Sequence, residues 1–323
     1  MRDLDSIITE LRPTLEALEP QRLEYKKKSA TFLLVIGCIV GALVIAGLAT
    51  QRMIPFLIGA AVAAVISILI FSFTVGKQRG AYLMAFKSAV IPRVLNLIDS
   101  GLGFDPNRGI GSDTFRYSEL FTTSPDRYQS EDLVWGSYGK TEIQLAEIHA
   151  EDRRTRTRDG KTETYYVTIF QGLLLIADFH KHFQGRTFVL PDNAEKLLGR
   201  FGRGLQKLAG RSGTKLVQLE DPEFERTFAI YSNDQVECRY ILSTSMMRRI
   251  LDMKNRFGKD DVRIAFKDSS VWIAIPHTGS YLEPKIGVAA MDPTQIRQML
   301  GELQAFLAIV EELNLNTRIW TKE

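Results

Sequence analysis

Between Leu219 and Leu242 the chain reads LEDPEFERTFAIYSNDQVECRYIL, which sets Glu220, Asp221, Glu223, Glu225, Asp234 and Glu237 beside Arg226, Cys238 and Arg239. Two carboxylates fixed across a pocket can act as general acid and base, if their surroundings push their pKa values apart. Most of these acids sit instead where helices begin. Asp221 before Pro222 reads as an N-cap and first helical residue, with Glu223 in a first turn that favours negative charge. Phe224 and Phe228 then share one face. Ser232 or Asn233 reads as the cap of a second helix, with Asp234 in its first turn. Val236 with Tyr240, and Cys238 with Leu242, form apolar pairs along it. Ser243 or Ser245 caps a third helix, turning Met247, Ile250 and Leu251 inward. Glu237 and Arg239 are left over as a candidate functional pair.

The other reactive residue types are sparse. A nucleophilic Cys238 would need a neighbouring histidine or helix N-terminus to stabilise its thiolate. No histidine is close in sequence, so a structural cysteine is expected. With Cys38 inside an apolar block as the only other cysteine, no disulfide framework or metal-binding cysteine spacing exists. The HKH of His180 to His182 reads as a polar turn. GRFGRG, within a helical pattern from Asp192 to Leu208, lacks the Gly-Lys-Ser/Thr ending of a phosphate loop. No catalytic residue, cofactor site or metal site is identified. A net charge of +3, from 41 basic and 38 acidic residues, is too small to indicate a nucleic-acid partner.

Basic residues are concentrated locally. Arg153, Arg154, Arg156, Arg158 and Lys161 surround Asp159-Gly160, a strong hairpin-turn signal. Near a bilayer such a tip would attract anionic headgroups; otherwise it is a solvated edge hairpin whose charges discourage aggregation.

These residues depend on elements that the sequence outlines. FLLVIGCIVGALVIAGLA (Phe32 to Ala49) and IPFLIGAAVAAVISILIFSF (Ile54 to Phe73) carry no charge, and each is long enough for a hydrocarbon core of about 30 Å. They read as a transmembrane helical hairpin. Lys26, Lys27 and Lys28 precede it and Lys77 and Arg79 follow, while the turn between carries only Arg52, so both ends are placed in the cytoplasm. Those five residues, with the four hairpin arginines, are the candidate lipid contacts. Gly37 and Gly41, with small residues at the same spacing in the second span, suit close packing of the spans or homo-oligomerisation. Upstream, Leu4, Ile8, Leu11, Leu15 and Leu18 form an amphipathic seam that Pro13 and Pro20 interrupt.

Beyond the spans, a helix continues toward Asp99 and a Gly-rich linker follows from Ser100 to Asp113. EIQLAEIH (Glu142 to His149), TYYVTIFQ, LLLIADF and FVLP read as strands. DPTQIRQMLGELQAFLAIVEELN reads as a closing helix capped by Asp292, with a wide apolar stripe that packs on the sheet or serves an oligomer. The expected organisation is an N-terminal amphipathic helix (1–30), a transmembrane hairpin (31–75), a juxtamembrane helix and linker (76–113) and a soluble cytoplasmic α+β domain (114–323), its mainly antiparallel sheet packed by helices.

DPEFERTF and DQVECRYIL, with GLLLIADFHKHFQGRTFVLPD upstream and VRIAFKDSSVWIAIP downstream, resemble the bacterial domain-of-unknown-function 3137 family, over most of the chain after about residue 110. The resemblance implies a bacterial inner-membrane protein encoded beside LemA-family membrane proteins, and it brings no known activity. Membrane lipids, a LemA-like membrane protein and further copies of the chain are the expected partners. The functional expectation is a non-catalytic scaffold or envelope-sensing module on the inner membrane. The alternatives are a membrane-proximal enzyme and an anionic-lipid-binding module.

Overall fold

The computed structural model describes residues 4–51, 53–158, 161–179, 183–192, 213–257, 261–279, 281–313 and 315. The turn at His180 to His182 and the helical pattern after Asp192, including GRFGRG, lie outside the described residues. The architecture is α+β: two long apolar helices, then an antiparallel sheet with helices.

Helices α1 (Leu4–Ala49) and α2 (Met53–Ile98) have 46 residues each, about 69 Å at 1.5 Å per residue. That is more than twice a hydrocarbon thickness of about 30 Å. Their apolar windows have mean hydropathies of 2.8 and 2.7 with only 6% of each window buried, so both are long and apolar enough to cross a membrane. The amphipathic segment and the first apolar block belong to one unbroken helix, against the expectation that Pro13 and Pro20 interrupt it. A proline costs a helix one N–H bond and a clash with the preceding turn. Here Leu11, Leu15 and Leu18 are all buried, and the packing of that stripe offsets the loss.

The chain divides into two compact units, Met1–Val94 with Leu282–Leu300, and Leu95–Tyr281 with Gly301–Glu323. In the first, Tyr82, Phe86, Val90 and Val94 of α2 are buried. Arg22, 5% exposed, donates from Nε and Nη2 to the two oxygens of Glu19 at 2.9 and 2.5 Å and from Nη1 to the Ile286 carbonyl at 2.9 Å. Glu19 Oε2 also accepts the Ala290 N–H at 2.8 Å. Hydrogen bonding to Arg22 holds the Glu19 carboxyl below the ordinary carboxylate range.

The second unit contains strands β1 (Leu102–Asp105), β2 (Arg127–Tyr138), β3 (Thr141–Arg158), β4 (Lys161–Asp178), β5 (Thr187–Pro191), β6 (Lys215–Val217), β7 (Phe228–Ser232), β8 (Arg263–Lys267) and β9 (Ser270–Pro276). Its helices are α3 (Ser112–Tyr117), α4 (Pro222–Thr227), α5 (Gln235–Ile241) and α6 (Thr244–Phe257), and α7 (Pro293–Glu312) closes the described chain. The strand order is β1-β2-β3-β4-β9-β8-β5-β7-β6, antiparallel throughout. TYYVTIFQ and LLLIADF, read as two runs, form the single strand β4. Gly172 joins them at φ +153°, where a Cβ would collide with the Ile275 carbonyl, so only glycine lets β9 approach there. The Gly-rich segment after Ser100, expected as a linker, holds edge strand β1 and leads into α3.

Alternation places Ala146, Ile148, Leu174, Phe188, Ala265 and Trp272 in one buried cluster with Phe115 and Leu120 from the α3 region. The intervening Leu173, Leu175, Ile273 and Ile275 are buried as well. Central strands are therefore covered on both faces, which explains why they read as continuous apolar runs. Phe306 of α7 stacks on Phe257 of α6 at 5.9 Å and meets the Tyr281 ring edge-on at 4.9 Å.

Candidate functional site

A buried polar cluster in the sheet unit forms where the β8–β9 hairpin turns. Asp268 and Ser269 both adopt positive φ, 52° and 57°, the left-handed pair that a tight two-residue hairpin requires. Lys267, directly before the turn, is 0% exposed. Its Nζ donates to the Tyr117 carbonyl at 2.7 Å and to Glu119 Oε1 at 3.0 Å, and sits 3.5 Å from the centroid of the Tyr117 ring. The same Glu119 oxygen accepts from Arg186 Nη1 at 2.9 Å. Two cations thus share one carboxylate, and the cost of burying an ammonium is met by pairing and hydrogen bonding it.

Glu119 reaches this position because α3 ends at Tyr117 and Glu119 takes φ +57°. The Tyr117 hydroxyl donates to Asp268 Oδ2 at 2.7 Å, and that bond raises its pKa above the ordinary phenol value. Lys267 and Arg186 balance Glu119 and Asp268, so the cluster is formally neutral. Beside it, residues between Asp113 and Ser124, including Arg116, Tyr117, Glu119 and Thr122, line a groove of about 520 Å³. The lining offers hydroxyls, a guanidinium, a phenol and the carboxylates of Asp113 and Glu119, a set of hydrogen-bonding groups of both charges.

Glu237 and Arg239 enter this picture by different routes. Glu237 accepts the backbone N–H groups of Gln184 at 2.9 Å and Gly185 at 2.5 Å, while Asn233 accepts that of Arg186 at 2.6 Å. Together they fix the loop that delivers Arg186 to Glu119. Arg239 donates to the carbonyls of Gln235 and Gln218, each at 3.2 Å. The two side chains therefore take separate partners.

The cap of α5 is Asp234, which accepts from Val236 and Glu237 N–H at 2.9 and 3.0 Å. The expected caps Ser232 and Asn233 are committed elsewhere, because β7 pairs with β5 as far as Thr187↔Ser232 and Asn233 holds Arg186. Capping at Asp234 turns Cys238, Ile241 and Leu242 inward and leaves Val236 and Tyr240 81% and 48% exposed. Cys238 is wholly buried, and desolvation pushes its thiol up to about 11. Such a thiol is a poor nucleophile.

The basic hairpin is split between faces. Arg154 and Arg156 lie on one side of β3 with the position of Arg158, and Arg153 lies on the other. Arg154 pairs with Asp152 at 2.9 Å and Arg156 with Glu163 at 3.1 Å. Across the ribbon, Arg127 lies 3.4 Å from the centroid of the Tyr166 ring. Lys26, Lys27 and Lys28 are exposed on consecutive positions of α1, with Lys28 paired to Glu24 at 2.6 Å. Lys77 and Arg79 are exposed on α2, and Arg79 reaches Glu283 at 3.5 Å.

Carboxylates of Glu131, Asp132 and Glu147 also gather, their oxygens within 4.8 Å of one another. They meet because β2 breaks register after Glu131, which pairs with Glu147 on β3, and Asp132 turns at φ +59°. Three hard oxygen donors suit a divalent cation; one of them, Glu147 Oε2, accepts the Tyr281 N–H at 3.1 Å. The sequence reading missed this group and the Lys267 cluster. A lysine ending the apolar run VRIAFK was the available signal for the second.

Residues 168–315 match the model of a family described as a protein of unknown function, DUF3137. The match begins inside β4 and ends just beyond α7, a shorter stretch than the resemblance after about residue 110 implied. It includes Arg186, Glu237, Arg239 and Lys267 and leaves out Tyr117 and Glu119. No curated protein and no solved structure matches the chain.

Proposed function

We propose that this chain, which carries a DUF3137 domain over residues 168–315, is a membrane-anchored, non-catalytic protein that presents its α+β unit to a partner on the cytoplasmic face of a bacterial inner membrane. One observation carries the reading. Among the described residues, most large apolar side chains left exposed lie between Leu33 and Ile70, such as Leu34 at 67%, Ile45 at 67% and Leu69 at 65%, while Leu11, Leu15, Tyr82 and Phe86 farther out on the same helices are buried. An apolar belt of this length is costly in water and at ease in hydrocarbon. Lysines flanking both outer ends of the belt support cytoplasmic termini.

The partner role is supported by a unit whose charged cluster is internally balanced, beside a groove of hydrogen-bonding groups. A second membrane protein, of the LemA kind that the resemblance implies, or another copy of this chain, fits an anchored module of this sort. In a Cys38→Ser background, Gln51→Cys and Thr157→Cys variants are to be treated in intact cells with a membrane-impermeant maleimide. Labelling of the Gln51→Cys variant alone is expected; labelling at position 157 would reverse the orientation, and recovery of the protein in the soluble fraction would remove the anchor.

A further inference from the structure

In the unit that contains α1 and α2, a crevice of about 640 Å³ opens between the helices. Its lining runs from Glu24, Lys27, Lys28 and Thr31 to Phe32 and Val35 on α1, with Val75 and Gln78 opposite on α2. From Lys27 to Val35 is eight residues, about 12 Å along the helix. The lining thus changes from charged to apolar along its length, where the first apolar block begins. Phe32 closes one side through its ring contact with Phe71, 5.2 Å between centroids. Gln78 Oε1 is buried and accepts no hydrogen bond among the described residues.

We infer that this crevice binds one anionic phospholipid carrying a headgroup hydroxyl, of the phosphatidylglycerol type; the inference rests on the membrane reading above. Lys27 and Lys28 receive the phosphate, with Lys28 exchanging its contact to Glu24, 2.6 Å away, for the stronger anion. An acyl chain follows Phe32, Val35 and Val75, whose surface offers it no polar competitor. The glycerol hydroxyl donates to Gln78 Oε1, which gives that buried acceptor the partner it lacks. Charge, apolar length and the position of the unmatched acceptor select a single amphiphile in one orientation.

The test is native mass spectrometry of the full chain in mild non-ionic detergent, with phosphatidylglycerol and phosphatidylcholine added in equal amounts. One phosphatidylglycerol should be retained in preference to phosphatidylcholine. Lys27→Ser with Lys28→Ser should weaken retention about 30-fold, at roughly fivefold per lysine. Thr31→Trp, which fills the crevice and keeps every charge, should also abolish it, while Lys26→Ser, one residue away and outside the lining, should preserve it. Equal retention of both lipids, persistence in either crevice variant, or an equal loss in Lys26→Ser would overturn the proposal. Carbonate-washed membranes separate the two readings: a chain that stays in the membrane but shows no lipid preference refutes the crevice alone, whereas one released by the wash refutes the anchor.

Discussion

Glu119→Gln is the sharpest perturbation of the buried charge cluster, because it keeps the side-chain shape and removes the charge that two cations share. Lys267, with no exposure of its own, would retain the Tyr117 carbonyl and ring and a neutral amide oxygen, with no anion to balance its charge. Removing one partner of a fully buried pair costs about 3–5 kcal/mol. Glu119 keeps 27% of its side-chain exposure and Arg186 37%, so solvent screening lowers the expectation to about 2–3 kcal/mol. At about 2–4 °C per kcal/mol for a unit of this size, the melting temperature should fall by roughly 5–10 °C. Thermal unfolding of the full chain in detergent, followed by tryptophan fluorescence, reads this directly, since the Trp272 ring lies 6.0 Å from Tyr117. Lys267→Met should cost less, because Glu119 keeps Arg186. The double variant should be less destabilised than the sum of the singles by about 1 kcal/mol or more, the signature of a direct interaction. A shift below about 1 °C in Glu119→Gln, where several degrees are expected, or strict additivity, would refute the cluster as an energetic unit.

Two further outcomes follow from the described contacts. Glu237→Ala should destabilise by about 1–3 kcal/mol, since two N–H groups of the Arg186 loop lose a charged acceptor, whereas Arg239→Ala should cost under about 1 kcal/mol; equal effects in hydrogen exchange at Gln184 and Gly185 would contradict the separate roles. The Glu19 carboxyl is depressed by Arg22, so its contribution to stability is complete above the unfolded carboxylate pKa and lost as pH falls through the folded value. Melting temperatures of wild type and Glu19→Gln should therefore differ at neutral pH and converge only as the pH falls through the depressed folded value; a gap independent of pH from neutral down to full protonation of the carboxyl would show that the pair contributes nothing through charge.

The sequence by itself determined the two apolar helices, the DUF3137 resemblance, the antiparallel β-rich unit and the capped closing helix. Each is written locally: an uncharged run, an alternating pattern, or a cap beside its proline. It misjudged Pro13 and Pro20 because the stripe of Leu11, Leu15 and Leu18 outweighs a local breaking signal only once it is packed. It misplaced the α5 cap because strand pairing had already claimed Ser232. The Lys267 cluster lay beyond its reach altogether. Glu119, Arg186 and Lys267 are 67 to 148 residues apart along the chain, and none carries a local mark of its partner. Only the tertiary structure, by ending α3 at Tyr117 and turning β8 into β9 beside it, could bring one carboxylate between two cations, because a charge pair is set by distance in space and not by spacing in sequence.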